Sequence, residues 1–154
     1  ASDVYKRQIV DLTEPLVDWD NIDIILGIEA MGLPLTAPLA MRTGVPMVIA
    51  RKRSYGLDGE VQIDQQTGYS KGSIYLNDIK AGERIAIIDD VLSTGGTMRS
   101  VIEGVKQTKA SIENIVIVVE KGDGMQNLKQ DYPSIRFDSL VKLHMDGERI
   151  IVTD

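Results

Sequence analysis

From residue 22 onward the chain alternates short, wholly apolar runs with stretches of helical spacing. Ile22–Gly27 (IDIILG) is β-branched and ends in glycine, the pattern of a buried strand. Leu33–Arg42 has helical spacing, with Pro34 near its start and Gly44 as a stop signal. Pro38 lies further in, where proline weakens a helix. Val45–Ala50, Arg84–Asp89, Asn114–Glu120 and Ile135–Leu143 predict four more strands. Gly96–Ala110 and Gly124–Asp131 predict two more helices, and Arg149–Val152 a small terminal strand. Strands apolar on both faces and separated by helices predict an α/β fold, with a mostly parallel central sheet flanked by helices. Residues 51–72 break this rhythm, being polar and carrying Gly56, Gly59, Gly68 and Gly72. A connection of that length predicts a functional lid or mobile hairpin, here assigned to residues 53–73.

Size and composition narrow the picture. A chain of 154 residues without linker or repeat predicts a single domain, 1–154. Residues 1–8 (ASDVYKRQ) have no signal-peptide core and read as an arbitrary, non-native leader. The net charge of −6 disfavours nucleic acid and anionic lipid as partners. With no cysteine there is no disulfide, thiolate zinc site or cysteine nucleophile, which suits a cytoplasmic protein. The single histidine, His144, supports neither a His-rich metal site nor a Ser-His-Asp triad and reads as an ordinary strand residue. No apolar run approaches the ~20 residues of a membrane span.

In a parallel sheet, ligands bind outside the carboxyl ends of the strands. The informative residues follow strands here: Glu29–Gly32, Arg51–Arg53, Asp89–Thr97 and Glu120–Asp123. The third of these is the most specific. In Ile85-Ala86-Ile87-Ile88-Asp89-Asp90-Val91-Leu92-Ser93-Thr94-Gly95-Gly96-Thr97, four apolar residues lead into two carboxylates, then hydroxyls and glycines, then a helix. Glycines let successive N–H groups converge on one anion, and the helix adds its unpaired N–H groups and positive end. Ser93, Thr94 and Thr97 add hydroxyl donors to this phosphate cradle. Asp89 and Asp90 would repel a phosphate alone. They suit a ligand that also carries vicinal hydroxyls or a bound Mg²⁺. A 5-phosphorylated ribose carrying Mg²⁺-pyrophosphate has all these parts. The spacing is not that of a Walker A loop.

Ile87–Thr97 resembles the phosphoribosyl pyrophosphate (PRPP) signature of type I phosphoribosyltransferases, and the likeness runs from about Ile24 to Leu143. Gly27–Gly32 resembles that family's pyrophosphate loop, and Val48–Arg53 with Tyr55–Gly59 resembles the second strand and lid of its purine members. Thr67–Gly72 and Val119–Gly124 are similar to the archaeal hypoxanthine/guanine enzymes. The resemblance implies the type I phosphoribosyltransferase fold, with a mobile lid hairpin and a small hood that is abbreviated or truncated, because little chain precedes residue 22. It also implies a purine salvage enzyme that forms IMP or GMP from PRPP and releases pyrophosphate.

The resemblance further implies a role for each residue. Asp89 and Asp90 would hold the ribose hydroxyls, directly or through Mg²⁺, and Ser93, Thr94, Gly95, Gly96 and Thr97 the 5-phosphate. Glu29, Ala30, Met31 and Gly32 would meet pyrophosphate, on a loop that in this family often has a non-proline cis peptide. Arg51 and Lys52 would add cations there, and Lys71 would close over it from the lid. Lys121, with Val91 and Leu92, would face the base, Lys121 donating to a 6-oxo group. Ser93 stands where vertebrate-type hypoxanthine enzymes carry an acid, and Arg51–Arg53 also resembles adenine phosphoribosyltransferases. Adenine transfer, or a non-catalytic PRPP sensor, are therefore the alternatives. A homodimer with the pyrophosphate loop near its interface is the family's expectation.

Overall fold

The computed structural model describes residues 2–67, 70–146 and 149–153. Its elements are α1 (Ser2–Thr13), β1 (Ile24–Ile28), α2 (Leu33–Thr43), β2 (Met47–Ala50), β3 (Val61–Thr67) and β4 (Ser70–Leu76). There follow β5 (Arg84–Leu92), α3 (Gly96–Gln107), β6 (Ser111–Lys121), α4 (Gly124–Asp131), β7 (Arg136–Asp146) and β8 (Arg149–Thr153). Six strands form one sheet in the order β2-β1-β5-β6-β7-β8, parallel throughout except for β8. The remaining two, β3 and β4, make a separate antiparallel hairpin.

The continuous apolar runs are explained by burial on both faces. Ile24, Leu26 and Ile28 point to one side, with Ile85, Ile87, Ile115 and Ile117, under α3 and α4. Ile25, Ala86, Ile88 and Val116 point to the other, under α1 and α2. Pro38 sits inside α2 without breaking it. Residues 2–8, expected to be an arbitrary leader, lie in α1, whose Val10 packs with Leu35 and Leu39 of α2. Trp19 packs on this same cluster, and its indole N–H donates to the Glu14 carbonyl at 2.8 Å. Met31 and Met41 are 65% and 87% exposed.

Two differences from the sequence expectation shape the site. Strand β5 runs three residues past Asp89, because pairing with β6 continues through Asp89↔Ile117, Val91↔Val119 and Leu92↔Glu120. Both carboxylates therefore stand on the last turnless part of a strand, and the loop proper begins at Ser93. The polar stretch is likewise ordered at its base. Ile74 and Leu76 are buried in the main core, with Val61 and Ile63 packed against it. The tip residues Gly68 and Tyr69, and the turn residue Gly147, lie outside the described residues.

The hairpin seats on α3 at Gly104. A Cβ there would overlap Ile63 Cδ1 and come within 2.8 Å of Leu76 Cδ1. Gly104→Ala should lower stability by about 1–3 kcal/mol, as overpacking does. Urea unfolding followed by circular dichroism checks this; an unchanged midpoint would show that the hairpin gives way freely.

Candidate active site

The carboxyl ends of β1, β2, β5 and β6 bring four segments together. At the centre, Asp89 and the run from Val91 to Met98 line a small cavity of about 90 Å³. Gly95 takes φ 82°, a left-handed conformation that glycine adopts without steric cost. The chain there turns directly into α3, whose first residue is Gly96. Ser93 and Thr94 are exposed, and the Gly96 N–H donates to Thr94 Oγ1 at 3.4 Å. The free N–H groups of the first α3 turn and the loop hydroxyls thus share one concave surface, suited to a phosphate.

Asp89 is half-buried beside Asp90. Burial pushes its carboxyl up to about 7, and the Asp90 charge adds to this. A hydrogen bond from the Asp90 backbone and the positive charge of Lys52 act in the opposite direction. Asp90 accepts from the Val91 N–H at 2.8 Å, which fixes one of its oxygens. A buried acid next to a second acid favours a ligand that supplies positive charge or hydroxyl donors.

The Glu29–Gly32 turn closes over this pair. Its Glu29–Ala30 peptide is cis. The Gly32 N–H donates to the Ile28 carbonyl at 3.1 Å, and a Cβ on Gly32 would stand 3.1 Å from Asp89 Oδ1. The turn therefore lies directly against Asp89. Glu29 itself braces the neighbouring strand, accepting from the Lys52 N–H at 2.8 Å.

The Phosphoribosyl transferase domain profile matches residues 5–146. The chain belongs to the phosphoribosyltransferase family. It is 45% identical over 134 residues to the hypoxanthine/guanine phosphoribosyltransferase of Methanohalobium evestigatum, covering 87% of this chain and 70% of that one. It is 46% identical over 136 residues to the protein of the same name from Methanotorris igneus, covering 88% and 74%. Among solved structures, the adenine phosphoribosyltransferase of Thermoanaerobacter pseudethanolicus superposes with a TM-score of 0.78 at 26% identity, over 89% of this chain and 80% of that one.

In this phosphoribosyltransferase the other candidate residues fall into two groups. Lys52 acts on Asp89, and Val91, 41% exposed, offers an apolar surface beside the cavity. Lys121 is exposed at the end of β6, just before Gly122 at φ 63°. Leu92, expected to face the base, is instead buried in the main core and lines the cavity from within. Arg51 and Lys71 are placed differently. The Arg51 guanidinium donates to Asn77 Oδ1, pairs with Glu60 Oε2 at 3.4 Å and lies 4.0 Å over the Tyr55 ring. Its backbone also exchanges hydrogen bonds of 2.9 and 2.8 Å with Tyr75. Arg51 thus ties the 54–60 loop to the hairpin base. Lys71 is exposed on β4, opposite Gln66, and does not line the 90 Å³ cavity.

Sequence reasoning missed Asn77, Glu60 and Gly124. Asn77 is buried, and its amide nitrogen has no partner among the described residues. No spacing signal distinguishes these residues: Asn77 and Gly124 act through contacts between segments far apart in the chain, and Glu60 through an irregular local loop. Among the described residues no helix is long and apolar enough to cross a membrane.

Proposed function

We propose that this phosphoribosyltransferase carries the 5-phosphoribosyl group of PRPP to hypoxanthine or guanine, forming IMP or GMP and releasing pyrophosphate. The observation that carries this reading is the pair Asp89–Asp90 on the last residues of β5, running directly into the glycine cradle at the start of α3. The names of the relatives at 45% and 46% identity support the 6-oxopurine as acceptor.

The residues divide the work as follows. Ser93–Thr97 hold the 5-phosphate, and Asp89 and Asp90 accept hydrogen bonds from the two ribose hydroxyls. The backbone of Ala30–Gly32 and the Lys52 charge receive pyrophosphate. The bond from the anomeric carbon to pyrophosphate breaks as the bond to the base nitrogen forms. The protein lowers this barrier by orientation and by fixed charge where charge develops. Val91 supports the face of the base, and Lys121 donates to its 6-oxo group. Lys71 comes over the leaving group when the β3–β4 hairpin closes, which excludes water.

Mg²⁺ fits the donor set. Adjacent carboxylates, one of them pushed up by burial and by its neighbour's charge, are relieved by a hard divalent cation. Such an ion uses one or two carboxylates and completes its shell with substrate oxygens, and its charge would offset that of the departing pyrophosphate. Asp89 and Asp90 would hold it. A homodimer that covers exposed Met31 suits this arrangement, as does a cytoplasmic setting for a chain without cysteine.

The test is product formation from PRPP and Mg²⁺ with hypoxanthine, guanine, adenine and xanthine in parallel, read by chromatography. Hypoxanthine and guanine should be converted and adenine ignored. Adenine turnover would overturn the role of Lys121. PRPP binding without turnover of any base would mark a sensor.

A further inference from the structure

The exposed phosphate loop has few tethers of its own: among the described residues, the Gly96 N–H on Thr94 Oγ1 at 3.4 Å is the one side-chain bond recorded inside it. A cradle built from backbone N–H groups works only if their directions are held, so the loop must be held from outside. The structure shows what lies beneath it. A Cβ on buried Gly124, the first residue of α4, would overlap the Ser93 carbonyl oxygen and stand 2.7 Å from the Thr94 carbonyl carbon. These are backbone atoms and cannot swing aside as a side chain would. One turn on, Leu128 Cδ1 lies 3.2 Å from where a Gly95 Cβ would be, and the Gly124 carbonyl oxygen 3.5 Å. Three consecutive loop residues, Ser93, Thr94 and Gly95, therefore rest on the first two turns of α4.

That support is itself fixed. Arg99 of α3 pairs with Asp131 of α4 at 2.6 Å, and the Tyr132 hydroxyl donates to Glu103 at 2.7 Å. Met125 and Leu128 are buried in the main core. The segment Lys121–Asp123 enters α4 immediately before Gly124. The strand end that carries the base-side lysine therefore leads directly into the residue on which the loop rests.

We infer that the first turn of α4 is the mould of the phosphate loop, with Gly124 as its positioning residue, a role that rests on Ser93–Thr97 being the 5-phosphate cradle. Gly124 touches no substrate and acts through the backbone of Ser93 and Thr94. Any larger residue lifts the loop away from the geometry in which its N–H groups converge. The pyrophosphate side, built on β1 and β2, is untouched by that displacement.

The experiment is titration calorimetry of the whole chain with ribose 5-phosphate and, separately, inorganic pyrophosphate. Wild type, Gly124→Ala, Leu128→Ala and Val105→Ala are compared, the last a core truncation at the far end of α3. Gly124→Ala should weaken ribose 5-phosphate about 10-fold or more, since small misplacements of positioned groups have effects of that order, while pyrophosphate affinity stays unchanged. Leu128→Ala, which removes support without a clash, should weaken ribose 5-phosphate by a smaller factor, and it decides the matter if Gly124→Ala does not fold. Val105→Ala should lower Tm and leave both affinities alone. Wild-type ribose 5-phosphate affinity in folded Gly124→Ala overturns the mould alone. So does an equal loss for both ligands. Failure of the wild type itself to bind ribose 5-phosphate overturns the cradle as well.

Discussion

Asp89→Asn is expected to give a protein that is more stable than the wild type above pH 7 and makes almost no nucleotide. Both effects have one cause. Burial, assisted by the neighbouring Asp90 charge, raises the Asp89 carboxyl from 3.8 to about 7. A raised acid favours the folded state while it is protonated. Its contribution is complete below about pH 4 and is lost as pH rises through about 7. A displacement of that size corresponds to about 4 kcal/mol at most. Part of it is recovered by relaxation of a half-buried site. The free wild type should therefore lose stability between pH 4 and pH 7, whereas Asp89→Asn should not. The two should be alike at pH 4 and differ by a few kcal/mol at pH 8. Urea midpoints across that range check the sign, and a wild type that gains on the variant as pH rises would refute it.

The activity change runs the other way. An amide offers one acceptor oxygen where a carboxylate offers two, and it has no charge to offset a cation. Charged hydrogen bonds contribute about 1.5–3 kcal/mol each, so kcat/KM should fall about 100-fold or more. Stability would thus be given up for function at one atom pair, as expected where a like-charged acid pair stands at a strand end. Undiminished turnover in the variant would remove Asp89 from the site.

Gly32→Ala should be nearly as damaging, for a reason of space alone. Gly32 has φ −70°, so alanine meets no backbone strain. Its Cβ would, however, lie 2.8 Å from the Ile28 carbonyl oxygen, 3.0 Å from the Ile28 nitrogen and 3.1 Å from Asp89 Oδ1. Strand β1 cannot retreat, being paired on both sides, so the turn must move instead. That shift opens the turn over the acid pair. We expect a stability loss of about 1–3 kcal/mol and a rise in the KM for PRPP of about 10-fold or more. Gly44→Ala is the matched comparison. Gly44 caps α2 at φ 73° with nothing within 4 Å of its Cβ position, so the change costs about 1 kcal/mol of backbone strain and leaves KM alone. Equal KM values in the two variants would show that the space at Gly32 is not needed by the turn.

Arg51 and Lys52 look alike in the sequence but are held differently in the fold. Both are cations after an apolar strand, and both suit an anionic leaving group. In the fold Lys52 acts on Asp89, while Arg51 is held by Asn77, Glu60 and the Tyr55 ring. Strand β2 ends at Ala50, and Arg51, bridged to Tyr75, is drawn to the hairpin base, while Lys52 stands in the bend beyond it. Glu29 presents the same case, since its carboxylate is occupied by the Lys52 N–H.

The amino-acid sequence by itself determined the layered α/β architecture and marked the Asp89–Thr97 segment as the candidate phosphate cradle. Uninterrupted apolar runs have one stable arrangement, a parallel sheet covered on both faces, and the Asp-Asp…Gly-Gly pattern carries its chemistry in consecutive residues. Local order of this kind is readable because backbone conformation and donor placement follow from neighbours in the chain. The tertiary structure alone decided three things. It extended β5 through both acids by pairing them with β6, and it seated the hairpin on α3 at Gly104. It also laid Gly124 under Ser93 and Thr94. Each depends on contacts between segments tens of residues apart, where the deciding quantity is the space between two backbones. A glycine that fills such a space has no side chain to announce it.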